Sequence, residues 1–358
     1  INFAHTSFKW ANLASHNAGV TVAIIGISSN TGNVRRLFSM AEDGASIEKK
    51  VENINAYIVA APNISIAKSS KSHFGLVEME SGAKATDGTN LTVQPEVYRE
   101  LREKNDSALK FIHFFQGSAE YIRSISRYCL WIKDEQVEEA KRIPFIKGRL
   151  DATQKNRCLS TKAQTRDELS KFPHRFEFVG SGGASVPIIV PKVSSENRPW
   201  LPVGLLPRGT IVSDLAFAIF DAPTWNMAII ASRLHLVWIA TVCGKMKTDF
   251  RYSNTMGWNT FPIERLTEKN KEDLTRCAED ILLAREAHFP ATIADLYSSE
   301  KMPENLRHAH ERNDEVLERI YIGRRFKNDT ERLEKLFDLY TKMTSPDNQT
   351  SNTKKKVS

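Results

Sequence analysis

The sequence predicts an α/β opening, an α+β middle and an all-helical C-terminal region. Three observations carry this. Val20-Thr-Val-Ala-Ile-Ile-Gly-Ile27 is a short, nearly continuous apolar run rich in β-branched residues, the pattern of a strand buried on both faces. Across 106–265, short apolar runs alternate with helical patterns and turns rich in Pro and Gly. After Pro262 every periodic segment has helical spacing.

Taken in order, Ile1 to Ala4 is strand-like, His5 to Asn17 reads as a loop between strands, and Ala56 to Ala60 as a short strand. Residues 61–105 begin as an irregular excursion or linker, Pro62 to Gln94, polar and interrupted by Gly75, Gly82 and Gly88. Pro95 to Lys104 is a short helix, since Pro fits the first helical turn. Gln116 to Asp134 is a helix followed by the strand Tyr128 to Ile132. Helical patterns follow over Asp134 to Arg142 and Phe145 to Ser160, the second with a basic face. Phe176 to Val179 and Val186 to Val190 are strands around Gly180-Ser-Gly-Gly183, and Thr210 to Phe220 is strand-like. Thr224 to Val242 places Ile230, Leu234, Val237 and Trp238 at helical spacing between Pro223 and Gly244. The last helices are Lys269 to His288, Pro303 to Tyr321 and Asp329 to Met343, where Leu333, Leu336, Phe337 and Tyr340 form a packing stripe. Residues 345–358 are polar and predicted to be disordered.

The composition of 358 residues, 41% hydrophobic and 26% charged, excludes collagen, coiled coil and wholesale disorder. It suits two or three domains, because one core rarely grows past ~250–300 residues. Arg233 and His235 interrupt the most apolar stretch, Ala222 to Cys243, so it reads as a buried helix and no membrane span is expected. Four scattered cysteines without CxxC spacing fit a cytoplasmic protein with no metal site. The net charge of +7 points, weakly, to a polyanionic partner.

No self-contained active site is legible: there is no P-loop, GxGxxG, HExxH or GxSxG. His308 and His310, two apart on a helix, do not share a face. What stands out is a series of basic residues, with aromatics among them. They are Arg123 and Arg127; Arg149, Lys155 and Arg157; Lys192 and Arg198; and Lys245, Lys247 and Arg251 with Phe250 and Tyr252. Duplex DNA is held by cations on phosphate and read by donors and acceptors at base edges. For any single Arg a solvated or acid-paired role competes. The loop from Lys245 to Asn254 leaves a buried helix after a Gly and mixes charge with aromatics, which favours contact.

Five segments in register, FAHTSFKWANLASHNAGVTVAIIGI, FQGSAEYIRSISRYCLWI, IVPKVSSENRPWLPVG, IIASRLHLVWIATVCGKMKTDFRYSN and ADLYSSEKMPENLRHAH, resemble the MmeI-like (type IIL/IIG) restriction–modification adenine-specific DNA methyltransferases. The resemblance implies that residues 1–60 are an α/β remnant of a class I methyltransferase sheet. It implies an α+β target recognition domain over 106–265, a C-terminal helical region over 266–344 and a tail over 345–358. It further implies S-adenosylmethionine as cofactor of a larger enzyme. The family's Gly-rich cofactor motif and its Asn-Pro-Pro-Tyr/Phe motif would lie upstream of Ile1, so no catalytic residue is expected in this chain and none of the cofactor's main motif.

By the same resemblance, Phe8 and then Trp10 are candidates to stack on an adenine extruded from the duplex, with packing in the sheet as the competing role. The Gly180 to Gly183 loop, Ser194, Ser195, Arg198, Lys245, Arg149, Lys155 and Arg157 are candidate contacts to the DNA backbone. An ordinary turn with a Glu196–Arg198 ion pair is the alternative at Ser194 to Arg198. Lys247, Asp249 and Arg251 are candidates for base readout. Lys247 and Asp249, two apart in an extended segment, would point the same way, and a basic-then-acidic pair suits a G·C base pair. The expected partners are double-stranded DNA and the remainder of the methyltransferase or endonuclease chain. The alternative is a free-standing DNA specificity subunit that borrows catalysis from another chain.

Overall fold

The first sheet opens the chain. In the computed structural model, which describes residues 1–10, 20–29, 34–40, 44–179, 186–246 and 248–345, it comprises β1 (Phe3–Trp10), β2 (Val20–Gly26), β3 (Arg35–Met40) and β4 (Ser46–Val51), in the order β2-β1-β3-β4. β1 pairs antiparallel with β2 and parallel with β3. The predicted loop from His5 is therefore strand as far as Trp10, with an irregularity between His5 and Phe8. β2 lies at an edge and is not buried on both faces: Ile24, Ile25 and Ile27 are 45%, 50% and 83% exposed. Among the described residues, the buried cluster at this sheet is Ala4 and Leu37 with Ile54, just beyond β4. The strand expected over Ala56 to Ala60 is a turn. The Asn55 side chain accepts the N–H groups of Tyr57 and Val59 and leaves Ile58 at φ 59°.

Residues 61–105 are not a linker. They carry little regular structure before β5 (Glu80–Ser81), β6 (Thr92–Val93) and α1 (Pro95–Glu103), yet Ile66, Leu76 and Met79 are buried in the main core. Asn254 and Trp258 clamp this stretch by donating to the carbonyls of Met79 and Val77.

The middle region holds β7 (Ile112–Gln116), α2 (Ser118–Arg123), β8 (Tyr128–Leu130), α3 (Val137–Lys141) and α4 (Pro144–Cys158). It continues with β9 (Pro187–Pro191), β10 (Val193–Ser194), β11 (Gly204–Leu205), β12 (Ile211–Val212) and β13 (Ala216–Phe220). The single run read over Thr210 to Phe220 is split between two sheets. β12 pairs parallel with β7 in β12-β7-β8-β6, and β13 pairs antiparallel with β9 in β11-β9-β13-β5. The strand expected over Phe176 to Val179 is reduced to an isolated bridge between Phe178 and Lys84.

The helix predicted over Thr224 to Val242 is two helices, α5 (Trp225–Ile230) and α6 (Arg233–Val242). Ser232 breaks it by capping α6, accepting from His235 N at 3.1 Å, while Asp314 accepts the Arg233 N–H at 2.6 Å. A hairpin follows, β14 (Lys245–Met246) and β15 (Asp249–Arg251). The C-terminal region is α7 (Glu268–Glu286), α8 (Ile293–Leu296), α9 (Glu304–Ile322) and α10 (Asp329–Thr344). Its helical stripe buries Leu336, Phe337 and Tyr340 against Trp238 of α6, with ring centroids at 5.4 and 5.8 Å for the two aromatics. Among the described residues no helix is long and apolar enough to cross a membrane. Residues 346–358, most of the predicted disordered tail, lie outside the described residues.

Candidate nucleic-acid interface

The loop after α6 is a hairpin whose second strand adds to β10, giving a small sheet in the order β10-β15-β14. Val193 pairs with Arg251 and Ser194 with Phe250, so two segments more than 50 residues apart in sequence become neighbours. Phe250 packs against the core. Asp249 and Arg251, on either side of it in the strand, therefore face the other way. Arg251 is exposed and Asp249 half-buried. Beneath them Tyr252 is buried, its hydroxyl 2.8 Å from His235 Nε2, which seats the hairpin on α6.

Asp249 Oδ1 accepts the backbone N–H of Glu196 at 3.4 Å. Arg198 donates to Ser194 Oγ at 3.3 Å, in place of the Glu196 pair considered from sequence. Burial pulls the Arg198 guanidinium below its ordinary pKa and the Asp249 charge pulls it up. Asp249, Arg251, Arg198 and Ser195 are thus brought together, while Lys245, the cross-strand partner of Phe250, lies on the hairpin's other face. Ser194 is buried at 2% exposure and holds Arg198, so its hydroxyl does not face a ligand as expected. Met246 pairs with Asp249, so the chain reverses between them. Asp249 stands on the return strand. Lys247 itself, and the Gly180 to Gly183 loop, lie outside the described residues.

The basic face of α4 divides. Lys155 is exposed. Arg157 is fully buried and donates to five carbonyls, those of Ala85, Thr86, Leu169, Phe172 and Arg175. Arg149 donates to the carbonyls of Asn90 and Thr92 at 2.8 Å each and stacks on Phe145. A planar guanidinium with a fixed fork of donors suits this closure of irregular backbone. Arg157 is therefore a core residue and no phosphate contact, and Arg149 is largely committed to the same role. Lys192 is likewise engaged, donating to Ser81 Oγ and the Asp214 carbonyl.

Phe8 is partly exposed on β1, its ring 4.8 Å from His5 and 6.2 Å from Trp10. Trp10 is 47% exposed, so the core role weighed for it does not apply among the described residues. The preceding Thr6 and Ser7 line a cleft of about 810 Å³ that reaches Lys245 of the hairpin. Its third wall is the loop between α9 and α10, with Arg325 and Lys327. In the sequence this loop is Gly323-Arg-Arg-Phe-Lys327, a basic run after a helix-ending Gly.

Close backbone approach marks cofactor cradles, but the glycines here that a Cβ would crowd face the chain's own atoms. Gly82 meets the Ser213 backbone, Gly117 meets Glu120 and Ser213, and Gly204 meets Tyr121. Among the described residues no three His, Cys, Asp or Glu side chains gather as metal ligands.

Three domain descriptions match the chain in order: MmeI, DNA-methyltransferase domain, over residues 1–39; MmeI, target recognition domain, over 60–265; and MmeI, C-terminal domain, over 266–346. The chain is 36% identical over 344 residues to DNA methyltransferase A of Bacillus subtilis (strain 168), covering 96% of itself and 38% of that protein. It superposes with a TM-score of 0.80 and 29% identity on the type IIL restriction–modification enzyme MmeI in complex with DNA, covering 96% of itself and 46% of that chain. It thus spans less than half the length of either relative.

Proposed function

The chain belongs to the MmeI family, and from that premise we propose that it is the DNA-recognition part of an S-adenosylmethionine-dependent adenine-N6 methyltransferase of a restriction–modification system. The observation that carries the proposal is the β10–β15 pairing. It gathers Asp249, Arg251, Arg198 and Ser195, carried on two distant segments, above a buried seat. The resemblance of the chain to an enzyme described in complex with DNA supports the same reading.

In this reading Lys247, Asp249 and Arg251 read base edges, an Asp accepting from a cytosine amine and a Lys or Arg donating to guanine. Arg198, Ser195, Lys245 and Lys155 neutralise or hydrogen-bond phosphates. Phe8, with Trp10 beside it, stacks on the extruded adenine. Residues 1–60 complete the sheet of a class I methyltransferase domain whose remaining elements cover Ile24, Ile25 and Ile27. Methyl transfer belongs to that domain, with S-adenosylmethionine as methyl donor, and no residue of this chain is assigned to the cofactor.

The test is a fluorescence-anisotropy titration of the chain with duplex DNA over a range of salt. Affinity should fall log-linearly with salt by ~0.9 per neutralised phosphate, as released counterions require. Arg251→Gln should weaken binding, and no methyl group should be incorporated. Salt-independent binding, or methylation by this chain alone, would overturn the assignment.

A further inference from the structure

The cleft beside the hairpin offers a surface that the readout residues leave unused. Three parts of the chain wall it: Thr6 and Ser7 of β1, immediately before Phe8; Lys245 of β14; and the loop from Gly323 to Asn328 that joins α9 and α10. Its interior acids are already matched. Asp314 accepts the Trp200 indole N–H at 2.8 Å and the Arg233 backbone N–H. Glu318 pairs with Arg332 at 2.6 Å, and Asp329 pairs with Arg233 at 2.5 Å and with Arg332 at 2.9 Å. Glu311 is the lining acid outside this network.

The loop is held rigidly and its cations are turned outward. Gly323 at φ 75° ends α9 in the left-handed conformation that Gly adopts freely. Phe326 is buried at 6% exposure and its N–H is donated to Glu318 at 2.8 Å. Glu331 accepts the Lys327 N–H and the Arg324 guanidinium. On either side of the buried Phe326, Arg325 and Lys327 are exposed. Arg325 spends one nitrogen on the Glu311 carbonyl at 2.8 Å, and its guanidinium carries further donors. Anchored cations opposite hydroxyl groups suit a phosphodiester, for which Arg supplies a fork and Lys a point charge.

We propose that Arg325 and Lys327 of the α9–α10 loop hold the sugar–phosphate backbone of the same DNA strand that the hairpin reads. Lys245 belongs both to the hairpin and to the cleft, and Ser7 adjoins Phe8. A strand read at Asp249 and Arg251, with a neighbouring base turned toward Phe8, has its phosphates led along this cleft. The C-terminal helices are then a third wall of the DNA site as well as a support for it. This inference rests on the recognition reading above.

The experiment compares the wild-type chain, Arg325→Gln with Lys327→Gln, the corresponding double Glu variant, and Arg251→Gln, on one duplex probe by anisotropy at several salt concentrations. Thermal midpoints establish that each variant is folded, and the Gln pair decides if charge reversal disturbs the fold. The Gln pair should weaken binding about tenfold and shrink the log–log salt slope by about 2, from ~0.9 per phosphate contact. The Glu pair should weaken it further. Wild-type affinity and slope in the Gln pair, while Arg251→Gln loses affinity, overturn this inference and leave the recognition reading standing. Lost affinity with an unchanged slope overturns it as well. A wild-type chain that does not bind duplex overturns both.

Discussion

Arg251 and Arg157 carry the same charge and face opposite fates. Arg251 stands exposed on the strand β15, whereas Arg157 is enclosed by five carbonyl oxygens. Residue type cannot separate them, because a guanidinium serves phosphate and orphaned carbonyl equally well. The recognition role of the hairpin can be tested by charge exchange. In the full-length enzyme, Lys247→Glu with Asp249→Arg should change the preferred base just 3′ of the target adenine from G to C, read by sequencing of methylated sites. An unchanged base there would sink the assignment. Phe8 calls for a different readout. Phe8→Ala in the same enzyme should slow single-turnover methylation more than it weakens DNA binding, since stacking on an extruded base is worth ~1–3 kcal/mol. An unaltered rate would leave Phe8 as a sheet residue packed on His5 and Trp10.

At the level of elements, α4 was expected to lie along DNA and instead closes an irregular region. The apolar side of α4, Ile146 and Leu150, was legible from spacing. That Arg157 turns to the same side was not, because the carbonyls it meets come from residues 85–86 and 169–175. Arg157→Met should therefore lower the urea midpoint by the equivalent of at least about 3 kcal/mol, since each buried acceptor left unmade costs ~1–3 kcal/mol. DNA affinity per folded molecule should stay unchanged. A stable variant with weakened binding would restore the phosphate role. The division of Thr224 to Val242 into α5 and α6 follows the same logic. The apolar periodicity runs through the break, and only the Ser232 cap with Asp314 on α9 shows where the second helix begins.

Across the whole molecule, three buried titratable groups tie stability to pH in opposing directions. Burial pushes His235 down to about 3, and burial with the Arg285 charge pushes His310 well below its ordinary 6.5. Both favour the neutral ring, so their contribution is present above pH 6.5 and is lost as pH falls from there. Burial raises Asp314 from 3.8 to about 7, so its contribution is present in acid and is lost as pH rises through about 7. Each group acts with a slope of roughly 1.4 kcal/mol per pH unit within its window. Two histidines outweigh one carboxyl, and unfolding midpoints should fall between pH 6.5 and 4.5. His235→Gln should flatten that fall, and Asp314→Asn should steepen it. An identical pH curve for His235→Gln would show that its ring is not held neutral by the fold.

The sequence by itself determined the order of the chain: a strand-rich opening, a mixed middle and a helical end, with the family legible in five segments. These are local or linear properties, set by side-chain period and by Pro, Gly and cap residues. The unusual charge and aromatic content after Gly244 likewise marked the hairpin as a place of contact. Tertiary structure alone decided which basic residues remain available and which segments meet. The β10–β15 pairing, the sharing of Thr210 to Phe220 between two sheets, and the cleft that joins Ser7, Lys245 and Lys327 all depend on contacts between residues far apart in sequence. Burial of a cation depends on where distant carbonyls fall, and exposure of an apolar strand such as β2 on what packs beside it. Neither quantity is written in the spacing of the residues themselves.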